Sequence, residues 1–221
     1  LTLTATDNFS FKGFADVRVR LGQQFGENVN SFTLREAWGM YYNKYMSISA
    51  GQKIIKWGKT DMFTPLSRFC PVDYTLRSPD FEDAELGNLL GVLTLTPAPF
   101  FKFSAVATPF WNPSILIIKP IPLPSNLQVE LPEGFKSGNG YYSYGFRGDF
   151  TLRGFDAGVQ WYHGPDLMPG LIMVSADYTN PIEPAIAVEG VPYLINSAGF
   201  DFETVISPFI LRGTLAYTNP E

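Results

Sequence analysis

Between Tyr142 and Trp161 the chain alternates between two kinds of side chain almost without a break. Tyr142, Tyr144, Phe146, Phe150 and Leu152 fall on one face of an extended chain, and Ser143, Gly145, Arg147, Asp149, Thr151 and Arg153 on the other. After a turn at Arg153–Gly154, Phe155, Ala157, Val159 and Trp161 oppose Asp156, Gly158, Gln160 and Tyr162. Successive side chains of a strand point to opposite faces, so the pattern predicts a hairpin with one greasy face and one charged face. A helix, with its period of 3.6, would scatter the same aromatics around its axis.

The alternation recurs along the chain. Ala15, Val17, Val19 and Leu21 oppose Asp16, Arg18 and Arg20; Met46, Ile48 and Ala50 oppose Ser47, Ser49, Gly51 and Lys53. Phe101, Phe103, Ala105 and Ala107 oppose Lys102, Ser104, Val106 and Thr108. Ala198, Phe200, Phe202 and Ile206 oppose Gly199, Asp201 and Glu203, and Leu211, Leu215 and Tyr217 oppose Arg212, Thr214 and Ala216. Two stretches fit less well: Asn88 to Thr96 is apolar on both faces, and in Phe32 to Tyr42 the alternation that puts Leu34, Trp38 and Met40 outward also puts Glu36 there, which a β-bulge would repair. The expectation is about nine strands of roughly 9 to 11 residues, the length that tilts across a bilayer core.

The expected connections alternate in length. Short turns fall at Asn43–Lys44, Pro97–Pro99, Arg153–Gly154 and Ser207–Pro208, and long stretches at Gly22–Ser31, Gly58 to about Glu85, Pro109–Gly140 and His163 to about Asn196. Outer-membrane barrels sort their connections in this way, whereas a soluble sandwich has no reason to. The longest apolar runs, such as Ile115–Ile118 and Gly170–Val174, are far shorter than the ~18 to 20 residues of a membrane-spanning helix. A mean hydropathy of +0.01 fits alternating strands, whose two faces average out. A greasy face of this extent in water would exceed the few hundred Å² of apolar patch that soluble monomers tolerate. The fold class expected is therefore all-β, an antiparallel transmembrane β-barrel forming a single domain over 1–221. An odd strand count would leave one edge open, so the chain is expected to be part of a longer barrel, incomplete at its C-terminus. With no Met, basic segment or apolar segment at Leu1, it is also expected to be a mature chain from which any export signal has gone.

Charge and composition narrow the partners. Sixteen Lys and Arg against 21 Asp and Glu give −5, which removes the basic footprint of a nucleic-acid binder. One cysteine, Cys70, forms no internal disulfide, and one histidine, His163, leaves too few soft ligands for a structural zinc site. No cofactor is expected.

Four segments, LREAWGMYYNKYMSISAGQKIIKWGKTDMFTP (Leu34–Pro65), DYTLRSPDFEDAELG (Asp73–Gly87), YSYGFRGDFTLRGFDAGVQWYHGPDLMPG (Tyr142–Gly170) and GFDFETVISPFILRGTLAYT (Gly199–Thr218), resemble a family of porin-like outer-membrane β-barrel proteins of Gram-negative bacteria. The resemblance covers about three quarters of the chain and is strongest around Gly51–Asp61. It implies a barrel in the bacterial outer membrane, in contact with its lipid, whose members are longer than this chain and end on an aromatic residue. The function expected is a porin-like channel, not an enzyme, for passive diffusion of small hydrophilic solutes or ions. The alternative is a non-conducting barrel that anchors or scaffolds a partner protein; association of further copies is left open.

The first candidate residues are the charges of the polar face. Asp16, Arg18, Arg20, Arg35, Lys53, Lys102, Arg147, Asp149, Arg153, Asp156, Asp201, Glu203 and Arg212 would line a water-filled lumen and bias ion passage. Alternatively they pair across strands and fill a closed interior. The second candidates, Lys59, Asp61, Arg68 and Asp73, lie in the loop opened by Trp57-Gly58-Lys59-Thr60-Asp61, which would form a constriction if it folded into the lumen. The alternative there is a loop whose Arg68 and Arg77 pair with its own Asp80, Glu82 and Asp83 while Trp57 sits in an interfacial aromatic belt.

Other features read as structural. Gly145, Gly148 and Gly158 are strand glycines, since no helix follows to make a phosphate loop. His163 lies near Asp166, but no nucleophile elbow occurs and Gly164-Pro165 reads as a strand exit. Cys70 is expected to be a partly buried, inert thiol. The Pro-rich stretch from Ile118 to Pro132 reads as an extended loop across the barrel mouth.

Overall fold

The computed structural model describes residues 2–7, 10–21, 23–24, 27–28, 31–60, 64–76, 78, 80–116, 128–130, 138–177 and 185–221. The strands in chain order are β1 (Thr2–Asp7), β2 (Phe11–Arg20), β3 (Gln23–Gln24), β4 (Glu27–Asn28), β5 (Ser31–Tyr42), β6 (Met46–Lys53), β7 (Asn88–Ala98), β8 (Phe101–Trp111), β9 (Gln128–Glu130), β10 (Gly138–Leu152), β11 (Phe155–Pro165), β12 (Gly170–Asp177), β13 (Ala185–Val191), β14 (Leu194–Ile206) and β15 (Phe209–Pro220). One short 3₁₀ turn, Phe81–Ala84, lies between β6 and β7. No helix among the described residues is long and apolar enough to cross a membrane.

Ten strands form one antiparallel meander in the order β1-β2-β5-β6-β7-β8-β10-β11-β14-β15. The nine strands that the alternation predicts are all present in the predicted order, and β1 is an additional short strand paired with β2. With β1 included the number is even, so parity no longer implies a missing strand. Among the described residues β1 and β15 do not pair, and the sheet is open between these two edges.

The connections alternate as expected, and β1 adds a further short one before Phe11. At one of the short turns, Asn43 Oδ1 accepts from the backbone N–H of both Tyr45 and Met46 at 2.9 Å, a side-chain mimic of a backbone turn. Three of the long connections carry strands that no alternation announced: β3 and β4 pair with each other, β12 and β13 pair with each other, and β9 from the connection before β10 adds to β13 in parallel. Most of the stretch from Ile118 to Pro132 lies outside the described residues.

The bulge expected in the second strand is real and changes which side chains face where. Register between β2 and β5 shifts between Asp16 and Val17, so that Leu34 opposes Val17, Glu36 opposes Asp16 and Arg35 is the extra residue. Leu34 stays on the apolar face, but Glu36, Trp38 and Met40 turn to the polar one, correcting the outward placement of Trp38 and Met40. Glu36 Oε1 there accepts from Ile54 N at 2.9 Å and from Trp38 Nε1 at 3.3 Å.

The two faces are solvated the reverse way from a water-soluble sheet. On the apolar face Phe146 is 43% exposed, Val159 53% and Leu215 70%. On the polar face Ser49, Ser104, Thr108, Ser143, Gln160 and Ser197 are buried. They are buried because the connection from Ile54 to Gly87 folds back over them. Its Trp57, Leu66, Phe69 and Cys70 pack against Leu90 of β7, Val106 of β8, Tyr162 of β11 and Ile195 of β14. This explains why β7 is apolar on both sides: Leu90 lies under the loop, and Leu89 is exposed on the other face. Gly199 makes room for the contact, since a Cβ there would overlap Leu66.

Candidate functional site

The polar face and the loop seated on it bring most of the predicted residues together, in two different kinds of surroundings. Under the loop, across β10, β11 and β14, Arg147 is enclosed. Its Nη1 donates to Asp201 Oδ2 at 2.6 Å and to Gln160 Oε1 at 2.9 Å, its Nη2 to Asp201 Oδ1 at 2.9 Å, and its Nε to Asp149 Oδ1 at 2.8 Å. The two-point contact with Asp201 uses the planar fork that suits a guanidinium to a carboxylate. Arg147 and Asp201 are on strands that are not neighbours; β11 lies between them, and the residue at the crossing is Gly158, paired with both Asp149 and Asp201. Any Cβ at 158 would collide with Arg147 Nη2 and come to 3.0 Å from Asp201 Oδ1. Gln160 completes the cluster by donating to Leu66 O at 2.7 Å, which ties the charges to the loop.

Other predicted charges are also paired. Asp16 lies 3.7 Å from Arg18 Nε and 3.9 Å from Arg35 Nη1. Arg18 also pairs with Asp83 of the loop, and Arg35 donates to Glu82 O. Arg212 Nε donates to Glu203 across β14 and β15 at 2.8 Å. Asp156 faces the same side, opposite Thr151 and Glu203. Arg153 stands exposed in the turn between β10 and β11, outside these pairings. Arg20 ends β2 opposite Ser31.

Of the loop candidates, Arg68 crosses to neighbouring segments, donating to Asp166 Oδ2 at 3.0 Å and to Thr218 Oγ1 of β15 at 3.1 Å. Asp73 holds the loop's own backbone, accepting from Thr75 N at 2.9 Å while its own N–H bonds Ala84 O at 2.7 Å. Asp61 and Arg77 lie outside the described residues. Trp57 is in the buried cluster against Phe69, ring centroids 4.9 Å apart, and so not in an interfacial belt. Lys56, which the alternation did not single out, pairs with Glu82 at 3.1 Å and Glu85 at 2.9 Å. Burial works against its charge, but the hydrogen bonds it donates to both carboxylates prevail and raise its pKa.

Beside the Arg147 cluster the covering is incomplete. A cavity of about 620 Å³ lies between the segment after β6 and the polar faces of β7, β8 and β10, with Lys53, Lys59, Lys102, Thr94, Ser104 and Asp149 in its wall. Lys53 Nζ sits 3.2 Å from Ser49 Oγ and 4.6 Å above the Trp38 ring.

The remaining candidates behave as structural groups. His163 Nδ1 lies 2.9 Å from Asn196 Oδ1 on the apolar face, its ring near Tyr144 and Trp161, while Asp166 bonds Arg68 instead. Cys70 is buried; its Sγ accepts from Ile55 N at 3.1 Å, and burial pushes its pKa up to about 12. Among the described residues no group of three His, Cys, Asp or Glu side chains is placed to hold a metal ion. No protein-family model, curated protein or solved structure matches the chain.

Proposed function

We propose that this chain is a transmembrane β-barrel of the outer membrane of Gram-negative bacteria and serves as a porin-like channel for passive diffusion of small hydrophilic solutes or ions. The observation that carries the reading is the inversion of the two faces: a continuous apolar face left open, and a polar face covered by the chain's own loop. Water would not tolerate the first, and lipid requires it. Strand lengths of 8 to 15 residues from β2 to β15 in the meander bracket those of membrane strands, and the long connections gather at one end. The resemblance of the Leu34–Pro65 and Tyr142–Gly170 segments to porin-like proteins points the same way. Hydrocarbon leaves no partner for an open sheet edge, so the reading requires the edges at β1 and β15 to be paired in the membrane.

A non-conducting barrel that holds a partner protein is the second reading, favoured by the way Leu66 and Phe69 fill the space over β11 and β14. One experiment separates them. The protein is refolded into vesicles containing brominated lipid and into a planar bilayer. Quenching that is lost in Trp161→Phe and kept in Trp57→Phe supports insertion through the apolar face, and discrete conductance steps support the channel. Insertion with a silent bilayer favours the scaffold, and absence of quenching overturns both.

A further inference from the structure

We propose that the cavity beside the Arg147 cluster is a subsite for a small oxyanion, a phosphate or carboxylate group, held by Lys53, Lys59 and Lys102. This rests on the reading of the polar face as the wall of an aqueous passage and adds the class of solute it favours. The chain as a whole is acidic, at −5, yet the cavity wall carries Lys53, Lys56, Lys59, Lys102 and Arg147 against a single carboxylate, Asp149. Two of those cations are already engaged, Lys56 by Glu82 and Glu85 and Arg147 by Asp149 and Asp201, each group carrying one negative charge in excess and leaving the three other lysines as the free cations of the wall. The one acidic side chain in the wall is thus spent. Among the described residues Lys53, Lys59 and Lys102 have no carboxylate at ion-pair distance. Glu36, on the strand next to Lys53, is engaged at Oε1 by Ile54 N and Trp38 Nε1.

Lys53 and Lys102 repel each other across this partly enclosed space, and Glu36 beside Lys53 and Asp149 opposite Lys102 in the strand pairing offset that repulsion only in part. An anion entering the space reduces that repulsion and gains charge-assisted hydrogen bonds, and of the Thr94 and Ser104 hydroxyls, bonded to each other at 3.4 Å in the same wall, one keeps a proton to donate to a second oxygen. A cation entering meets the opposite. The volume, about 620 Å³, corresponds to roughly twenty waters at liquid density, so a phosphate or a sugar-sized acid enters with part of its hydration shell. Retention is therefore loose, as transit requires.

The test uses the protein in a planar bilayer under a KCl gradient, with inorganic phosphate and then acetate added, alongside the triple variant Lys53→Gln, Lys59→Gln, Lys102→Gln and the control Lys44→Gln in a short turn. The expected result is a reversal potential of anion-preferring sign, chloride current reduced by millimolar phosphate, and both effects diminished in the triple variant and kept in the control. The block should weaken roughly tenfold, the equivalent of one charged hydrogen bond. Block by phosphate but not acetate assigns the site to phosphates; block by both assigns it to oxyanions at large. Cation preference, or a triple variant indistinguishable from the parent, overturns the subsite and leaves the passage standing. A folded protein that conducts nothing overturns the passage; the subsite is then decided by calorimetric titration of phosphate into protein in detergent. Heat lost in the triple variant retains it, and no heat overturns it.

Discussion

Arg147 and Lys53 project from the same face of the same sheet, under the same loop, and end in opposite circumstances. Arg147 reaches two carboxylates and a glutamine; Lys53 finds a hydroxyl and an aromatic ring. The contrast shows that a charged inward face is not one thing. Where a carboxylate on the next strand but one lies across a glycine, the charges close on each other and become part of the packing. Where the acids are already taken, the lysines remain available to whatever enters. Both side chains reach the wall of the same cavity, so the closed and the open arrangement stand side by side within the middle of the sheet.

The largest expected effect breaks the closed side. Asp201→Ala removes the two-point partner of a guanidinium that is 6% exposed and leaves it Asp149 as its one carboxylate, which should cost about 3 kcal/mol or more in a denaturant unfolding titration. The double change Arg147→Met with Asp201→Leu should recover most of that loss, because the desolvation of both charges disappears together. A double variant as unstable as the single one would show that the pair is not self-contained. Next, Leu66→Ala removes the side chain seated on Gly199 and should cost about 2 to 5 kcal/mol, with increased protease cutting in the Ile54–Gly87 connection as the second readout. Phe146→Arg, on the opposite face, should cost about 2 to 4 kcal/mol in lipid near mid-membrane; no penalty would argue that this face never meets hydrocarbon. On the open side, Lys53→Gln with Lys102→Gln should shift stability by no more than about 0.5 kcal/mol while changing ion preference, which sharpens the contrast with Asp201.

The smallest effect concerns Cys70. Its thiol titrates at about 12 when folded against an ordinary value near 9, so the folded state binds a proton that the unfolded state releases, and stability falls as pH rises between these values. At pH 8.5 maleimide labelling of the folded protein should be roughly 10³-fold slower than that of the unfolded chain.

Much of this was legible in the residues. Period two placed nine strands and the faces of seven of them, because those strands carry large apolar side chains on one side only; β7, apolar on both sides, and β5, with its bulge, did not declare theirs. β1 lacks that signal: its Thr2, Thr4 and Thr6 alternate with Leu3, Ala5 and Asp7, a weak contrast. The inward turn of Trp38 depends on a single extra residue, Arg35, whose location only the pairing with β2 reveals. The charged residues were visible as a set, but their division into paired and unpaired was not. It depends on contacts as distant in the chain as Arg147 with Asp201 and Arg68 with Asp166, and on a loop that no periodicity describes.

Gly158 carries a consequence for the geometry of the whole sheet. The guanidinium of Arg147 steps over β11 at the one position where nothing stands in its way, and grips a carboxylate on the far side. Sliding β11 by two residues would put Asp156 or Gln160 under the bridge, and sliding β14 by one would turn Asp201 to the opposite face. Three strands are thus pinned in mutual stagger by the absence of a methyl group. Since stagger and strand number together set the tilt and girth of any closed sheet, that empty position would fix the bore if the edges at β1 and β15 meet, as the proposed barrel requires.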